Sequence, residues 1–234
     1  MFPPLYSRIM SEEAQKTPGV TVISVRGEAF VDVEPERATV SVIIDVDGPE
    51  RAAVQQRASD ARNRCIGAIR SLSDPKAGPI TEWTGSQLQV WSQRPWNADG
   101  AQLPPVFHSR STLDVTFSDL EAVGAWTDTA SADDDVTIAG VDWSITDLTR
   151  QELEGRCSRD AVASAVAKAS VFASALGLGD VRPVEISEPA TANPEYGVMS
   201  RMAFASAGGP TEFAPERIRI DVQVNARFEA QSAD

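Results

Sequence analysis

The side chains that could do chemistry are few and widely spaced. His108 is the only histidine, and it stands beside Ser109 and near Ser111 and Asp114. A nucleophile, a base and a carboxylate in one short stretch are the raw material of acyl transfer. The stretch alternates polar and apolar residues as a strand does, however, so His108 and Ser109 point to opposite faces and do not share a hydrogen bond. No Gly-x-Ser-x-Gly elbow occurs either. His108 is therefore read as a surface or strand-end imidazole, and the chain as not an enzyme.

The remaining polar clusters also have ordinary readings. Asp133, Asp134 and Asp135 lack the alternating ligands and distal Glu of a calcium loop, because Val136 and Thr137 already begin a strand. They read as a solvated turn. One histidine with the distant Cys65 and Cys157 cannot build a zinc site, and both cysteines fall in helical segments where a small buried thiol is expected. Gly177, Leu178 and Gly179 follow a helix instead of opening one, which makes them a stop signal and not a phosphate cradle. No cofactor or metal is expected. The remaining candidate surface is aromatic: Trp83, Trp91 and Trp96, with Arg94 between the last two, suit a sugar or small ligand, or a core or subunit contact.

These residues need elements to hold them. Alternation marks strands over Val20 to Val33 and Ala38 to Val46, joined at Glu34 and Pro35. Val54, Ala58, Ala61, Cys65, Ile69 and Leu72 then recur at helical spacing from about Pro49 to Ser73. Ile80 to Gln93 reads as one strand, followed by a proline-punctuated loop from Pro95 to Pro105. A further strand over His108 to Phe117 leads to a short helix carrying Leu120, Val123 and Trp126, capped by Ser118 or Asp119. The next strand runs through Val136, Ile138, Val141, Trp143 and Ile145, with Gly140 as a bulge or a point of close approach. A long helix capped by Thr149 follows, with Val162, Val166, Ala169, Ala173 and Leu176 facing the core. Val181 to Ile186 and Arg217 to Arg227 are the last strands. The intervening Pro189 to Pro215 segment is too long for an inert connector and reads as a mobile or contact loop. The expected fold class is α+β: a mostly antiparallel sheet, two long helices packed on one face, and a weak internal duplication.

A chain of 234 residues with 42% hydrophobic and 24% charged residues can bury a core without staples. Its net charge of -13 repels a phosphate backbone, so nucleic acid is not an expected partner. The first residues carry Pro3, Pro4, Glu12, Glu13 and Lys16 and lack the apolar run of a secretory leader. No stretch matches a membrane span. Cytoplasmic location is the default expectation, and periplasmic or surface association if a leader has been removed. Met10 is a second candidate start.

The opening strands, with Pro35, Glu36, Arg37 and Ala38 after a Gly-containing turn at Gly27, resemble the SIMPL domain family. So do Ala165 to Ala169 followed by Ala173, Leu176, Gly177, Leu178, Gly179 and Val181, then Ile186, Ser187 and Glu188, and the Pro215 to Phe228 strand. Ala29 stands where a second Gly is common, and Glu36 where Asp is usual. The resemblance divides the chain into a flexible segment 1–19, a SIMPL-like domain 20–229 containing the 189–215 loop, and a tail 230–234. It implies a protein without established catalytic residues, associated in bacterial members with defence against oxidative stress and in some with large ring-like oligomers, while animal members are adaptors in kinase signalling. The reading is a non-enzymatic scaffold or stress-protective factor, a homo-oligomer with room for another protein partner. The alternative is a small-molecule binding module at the tryptophan surface, with a hydrolase using His108 as the third reading.

Overall fold

The computed structural model describes residues 19–96, 98–189 and 215–232. Along them run β1 (Thr21–Val33), β2 (Arg37–Gly48), α1 (Arg51–Leu72), β3 (Ile80–Gly85), β4 (Gln89–Gln93), β5 (Val106–Phe117), α2 (Glu121–Ala130), β6 (Val136–Ser144), α3 (Asp147–Ala175), β7 (Arg182–Ser187) and β8 (Ile218–Ala230). The class is α+β with mostly antiparallel pairing. In place of one sheet carrying both long helices there are two sheets. One has the order β3-β5-β2-β6 with β4 also on β5, and the other has the order β1-β8-β7. Among the described residues, one compact unit takes in 31–153 and 215–220, and the other 19–30, 154–189 and 221–232.

In the larger unit the alternation of β2 decides the packing. Val40, Val42 and Ile44 face inward and are fully buried, as are Leu113, Val115 and Phe117 on β5, and α1 covers them with Ala61, Cys65, Ile66 and Ile69. Each large aliphatic side chain so buried contributes about 1.5–3 kcal/mol relative to exposure. The expected α1 stripe is present, except that Leu72 at its last turn is exposed. β2 and β5 pair in unbroken register from Ala38↔Phe117 to Gly48↔Phe107. On the other side, β2 moves from Gly140 opposite Ser41 to Ile138 opposite Val42, so the bulge expected at Gly140 is there. Neither expected cap holds the N-cap position of α2, which is Leu120 without a side-chain cap: Asp119 Oδ1 accepts the Glu121 N–H at 3.1 Å in the turn that leads in, and the Ser118 hydroxyl donates to the Gly78 carbonyl at 3.0 Å. Trp126 on α2 meets Phe117 edge-on, with ring centroids 5.4 Å apart.

The smaller unit corrects two sequence expectations. β1 runs unbroken through Gly27, so this glycine is not in a turn. A Cβ there would lie 2.0 Å from the Ala161 carbonyl oxygen and 2.8 Å from Ala165 Cβ, which means that α3 rests directly on the strand backbone. Only small residues fit a helix at that distance. The buried stripe of α3 is accordingly Cys157, Ala161, Ala165, Ala169 and Ala173, while Val166 is 40% and Leu176 65% exposed. Ile23, Val224, Ala226 and Phe228 complete this core. The helix ends as expected before Gly177, whose φ of 70° suits glycine.

The start of α3 is capped differently from the expectation. Thr146, not Thr149, supplies the capping oxygen, taking the Thr149 N–H at 3.3 Å. Glu36 reaches in from the turn before β2, accepting the Thr146 N–H and the Thr149 hydroxyl proton at 2.7 Å each. The Thr146 amide, then the Thr149 hydroxyl, holds the Glu36 carboxyl below its ordinary value near 4.5. A lowered carboxyl stabilises the fold above its unfolded pKa and loses that contribution as the pH falls through the folded value. Glu36→Gln should therefore cost about 1 kcal/mol at pH 7 by urea unfolding, and the gap to the parent should close on acidification below about 4.5. A gap that stays constant with pH would show that the charge is not what caps the helix.

Candidate functional site

The open face of β5 holds the histidine. Asp47 and Trp91 are its cross-strand partners, and the imidazole stacks on the Trp91 indole at 5.5 Å with 25° between the planes. Ser109 and Ser111 lie on the opposite, inner face, 0% and 1% exposed. The pleat thus separates the imidazole from both hydroxyls, as the alternation requires.

The tryptophans are not brought to one face. Trp83 pairs with Val115 on the inner side and packs against the main core. Trp91 pairs with His108 on the open side. Both have odd numbers and would share a face on one continuous strand, but the expected strand is broken. From Gly85 opposite Leu113 to Gln89 opposite Arg110, the β3–β4 path spends four residues while β5 spends three. The extra residue turns every later side chain over. Ser86 anchors this insertion: its N–H donates to the Thr112 carbonyl at 3.0 Å, and its Oγ accepts the Thr112 N–H at 2.8 Å. Beyond β4, Arg94 is exposed and Trp96, 67% exposed, forms a single bridge with Gln102. Residues 190–214 of the candidate contact loop lie outside the described residues.

The acidic turn is not simply solvated. Arg64 donates to Asp133 Oδ2 at 2.6 and 3.0 Å, and Arg57 donates to both oxygens of Asp135 at 2.6 and 2.7 Å. Residues 57 and 64 are two helical turns apart on α1 and so share a face, a spacing that could have flagged the pairing. The Arg64 hydrogen bond holds the Asp133 carboxyl below its usual range, and Asp133 in turn pushes the Arg64 guanidinium up. A cavity of about 630 Å³ opens here, lined by these four residues with Cys65, Trp126 and others. Burial pushes the Cys65 and Cys157 thiols up, and both are buried and free of disulfides. Among the described residues no group of three His, Cys, Asp or Glu could hold a metal ion.

A family model for SIMPL, described as a protein of unknown function (DUF541), matches residues 23–228. The chain belongs to the SIMPL family. A search of curated proteins finds no match. The structure gives the SIMPL signature residues of this chain physical work: Glu36 caps α3, Ala165, Ala169 and Ala173 admit the helix to the sheet, and Gly177 ends it. Among the described residues of this SIMPL chain no helix is long and apolar enough to cross a membrane.

The smaller unit of this SIMPL protein also exposes apolar side chains that sequence reading had assigned to the core or left unremarked. All six residues of β7 are exposed, with Val184 at 53% and Ile186 at 51%. Phe172 on α3 is 51% exposed and Phe30 on β1 63%. Singly exposed apolar side chains are ordinary, and it is where they adjoin, as Val184 and Ile186 do two residues apart on β7, that they suit an interaction surface.

Proposed function

We propose that this SIMPL protein is a non-enzymatic, self-associating scaffold, and that the apolar side chains of its smaller unit bury against further copies of the chain. The observation that carries this reading is the exposure of every residue of β7 together with Phe172 on α3 and Leu176 just beyond its end. β7 is an edge strand of its sheet. Its Pro183 lacks an N–H and blunts that edge, so the contact is made through side chains and not by adding a strand. The oligomeric members of the family agree with a second copy as occupant. A stress-protective role is the physiological setting proposed for the assembly.

Light scattering on a sizing column tests this by absolute mass. The parent is expected at a multiple of 25.1 kDa that does not change with dilution, and Phe172→Asp with Leu176→Asp is expected to lower it. A mass of one chain at all concentrations would refute the assembly. The second reading, a small-ligand surface, rests on the exposed Trp91 and Trp96. It predicts saturable quenching of Trp fluorescence that Trp91→Phe weakens.

A further inference from the structure

Three buried side-chain polar atoms among the described residues have no hydrogen-bond partner: Arg62 Nε, Ser109 Oγ and Ser111 Oγ. All three belong to the layer between α1 and the inner side of β5. Arg62 is the informative one, because a guanidinium is always charged and its fork is built for a second oxygen-bearing group. Gly85 lies against it: a Cβ there would be 2.7 Å from Leu113 Cδ2 and 3.3 Å from Arg62 Nη2, so the strand backbone, with no side chain between, forms one wall beside the guanidinium. Nη2 makes one long contact, 3.4 Å, to the Ser86 carbonyl. Arg62 has no ion pair among the described residues, whereas the neighbouring α1 arginines 57 and 64 are both paired.

The space beside Arg62 is a cavity of about 430 Å³, within the range of small-molecule sites. Asn63, Ser86 and Gln87 line it with hydroxyl and amide donors, the Ser59 hydroxyl being given to the Gln55 carbonyl at 2.8 Å, and no aspartate or glutamate lines it, in a chain that carries 34 of them. At physiological salt the net charge of the whole chain is screened beyond about 8 Å, so the local guanidinium decides which ions are held.

We propose that this cavity binds a small molecule through one oxyanionic group, with the Arg62 fork as its anchor and the serine, asparagine and glutamine side chains as neutral donors. Nε is closed to solvent as it stands, so the guanidinium must shift toward the cavity for an oxyanion to pair with both sides of the fork, and an apolar ligand would leave Nε unpaired. The site is independent of the apolar surface proposed for self-association, since the two share no residue.

Calorimetric titration of the full chain with inorganic phosphate, sulfate and acetate, each at constant ionic strength set with sodium chloride, tests the proposal. At least one anion is expected to give saturable heat. Phosphate or sulfate alone would mark a tetrahedral group, and acetate a carboxylate. Arg62→Gln should weaken that binding roughly tenfold or more. Arg70→Gln, an exposed arginine of the same helix, should leave it unchanged. Arg62→Lys keeps the charge without the fork, should bind with intermediate affinity, and serves if the glutamine variant does not fold. Absence of saturable heat with all three anions would overturn the proposal, as would an affinity of the Arg62 variants equal to that of the parent. Either result would leave a trapped water as the partner of Nε.

Discussion

Gly27→Ala is expected to lower the thermal unfolding midpoint by about 10 °C. The added Cβ would sit 2.0 Å from the Ala161 carbonyl oxygen, a main-chain atom that cannot rotate away as a side-chain tip can. Either α3 lifts from β1 or the strand bends, and both loosen the alanine contacts beyond. Overpacking of this kind costs about 3 kcal/mol, and for a chain of this length each kcal/mol moves the midpoint by about 2–4 °C. Gly67→Ala is the matched control. Gly67 is an exposed glycine within α1 with nothing within 4 Å of its added Cβ, so the same substitution should raise the midpoint by about 2 °C through helix propensity. A neutral Gly27→Ala, measured by calorimetry or circular dichroism, would mean that α3 does not rest on β1 as described.

The second large effect is an asymmetry within one ion pair. Arg57 is 57% exposed and Asp135 only 8%, although they share two hydrogen bonds. Remove Asp135 and the guanidinium turns to water; remove Arg57 and a carboxylate is left where water scarcely reaches. Arg57→Met should therefore cost about 3 kcal/mol in urea unfolding, and Asp135→Asn about 1 kcal/mol. The Arg217–Glu34 pair, exposed on both sides, should contribute little and should respond to salt. Equal losses from the two single variants of the Arg57–Asp135 pair would mean that the carboxylate is hydrated after all.

These two sites also show where the sequence is readable. β2 and α1 carry large aliphatic residues on one face and polar ones on the other, so period alone places their cores. α3 carries alanine all around, and the alanine that packs cannot be told from one that faces water. Ala169, Ala173 and the partly buried Val162 of the expected stripe do pack, but size drew Val166 and Leu176 into it although both are exposed, and the smaller Ala161 and Ala165 were passed over. Gly27 looks like a turn because its reason for being glycine lies about 135 residues downstream. The aromatic surface was misread for a local reason, since nothing in residues 86–88 announces the one-residue insertion that separates Trp83 from Trp91. Arg62 was not singled out at all, because an arginine on an amphipathic helix is ordinary until the atoms around its Nε are known. Division into two sheets depends on which distant strands meet, and that is not a property of any window of sequence.

The order β1-β8-β7 puts the last strand of the chain in the middle of its sheet. On a ribosome, β1 emerges early and β7 late, yet neither has a partner until β8 has been made. At ordinary translation speeds that delay is on the order of 10 s. The strands from β2 to β6, by contrast, leave the tunnel in close succession and pair among themselves. Production of this protein should therefore be limited by the care of a waiting β1: a stop codon before Ile218 would release a chain with one half assembled and an unmated strand open to chaperones and proteases.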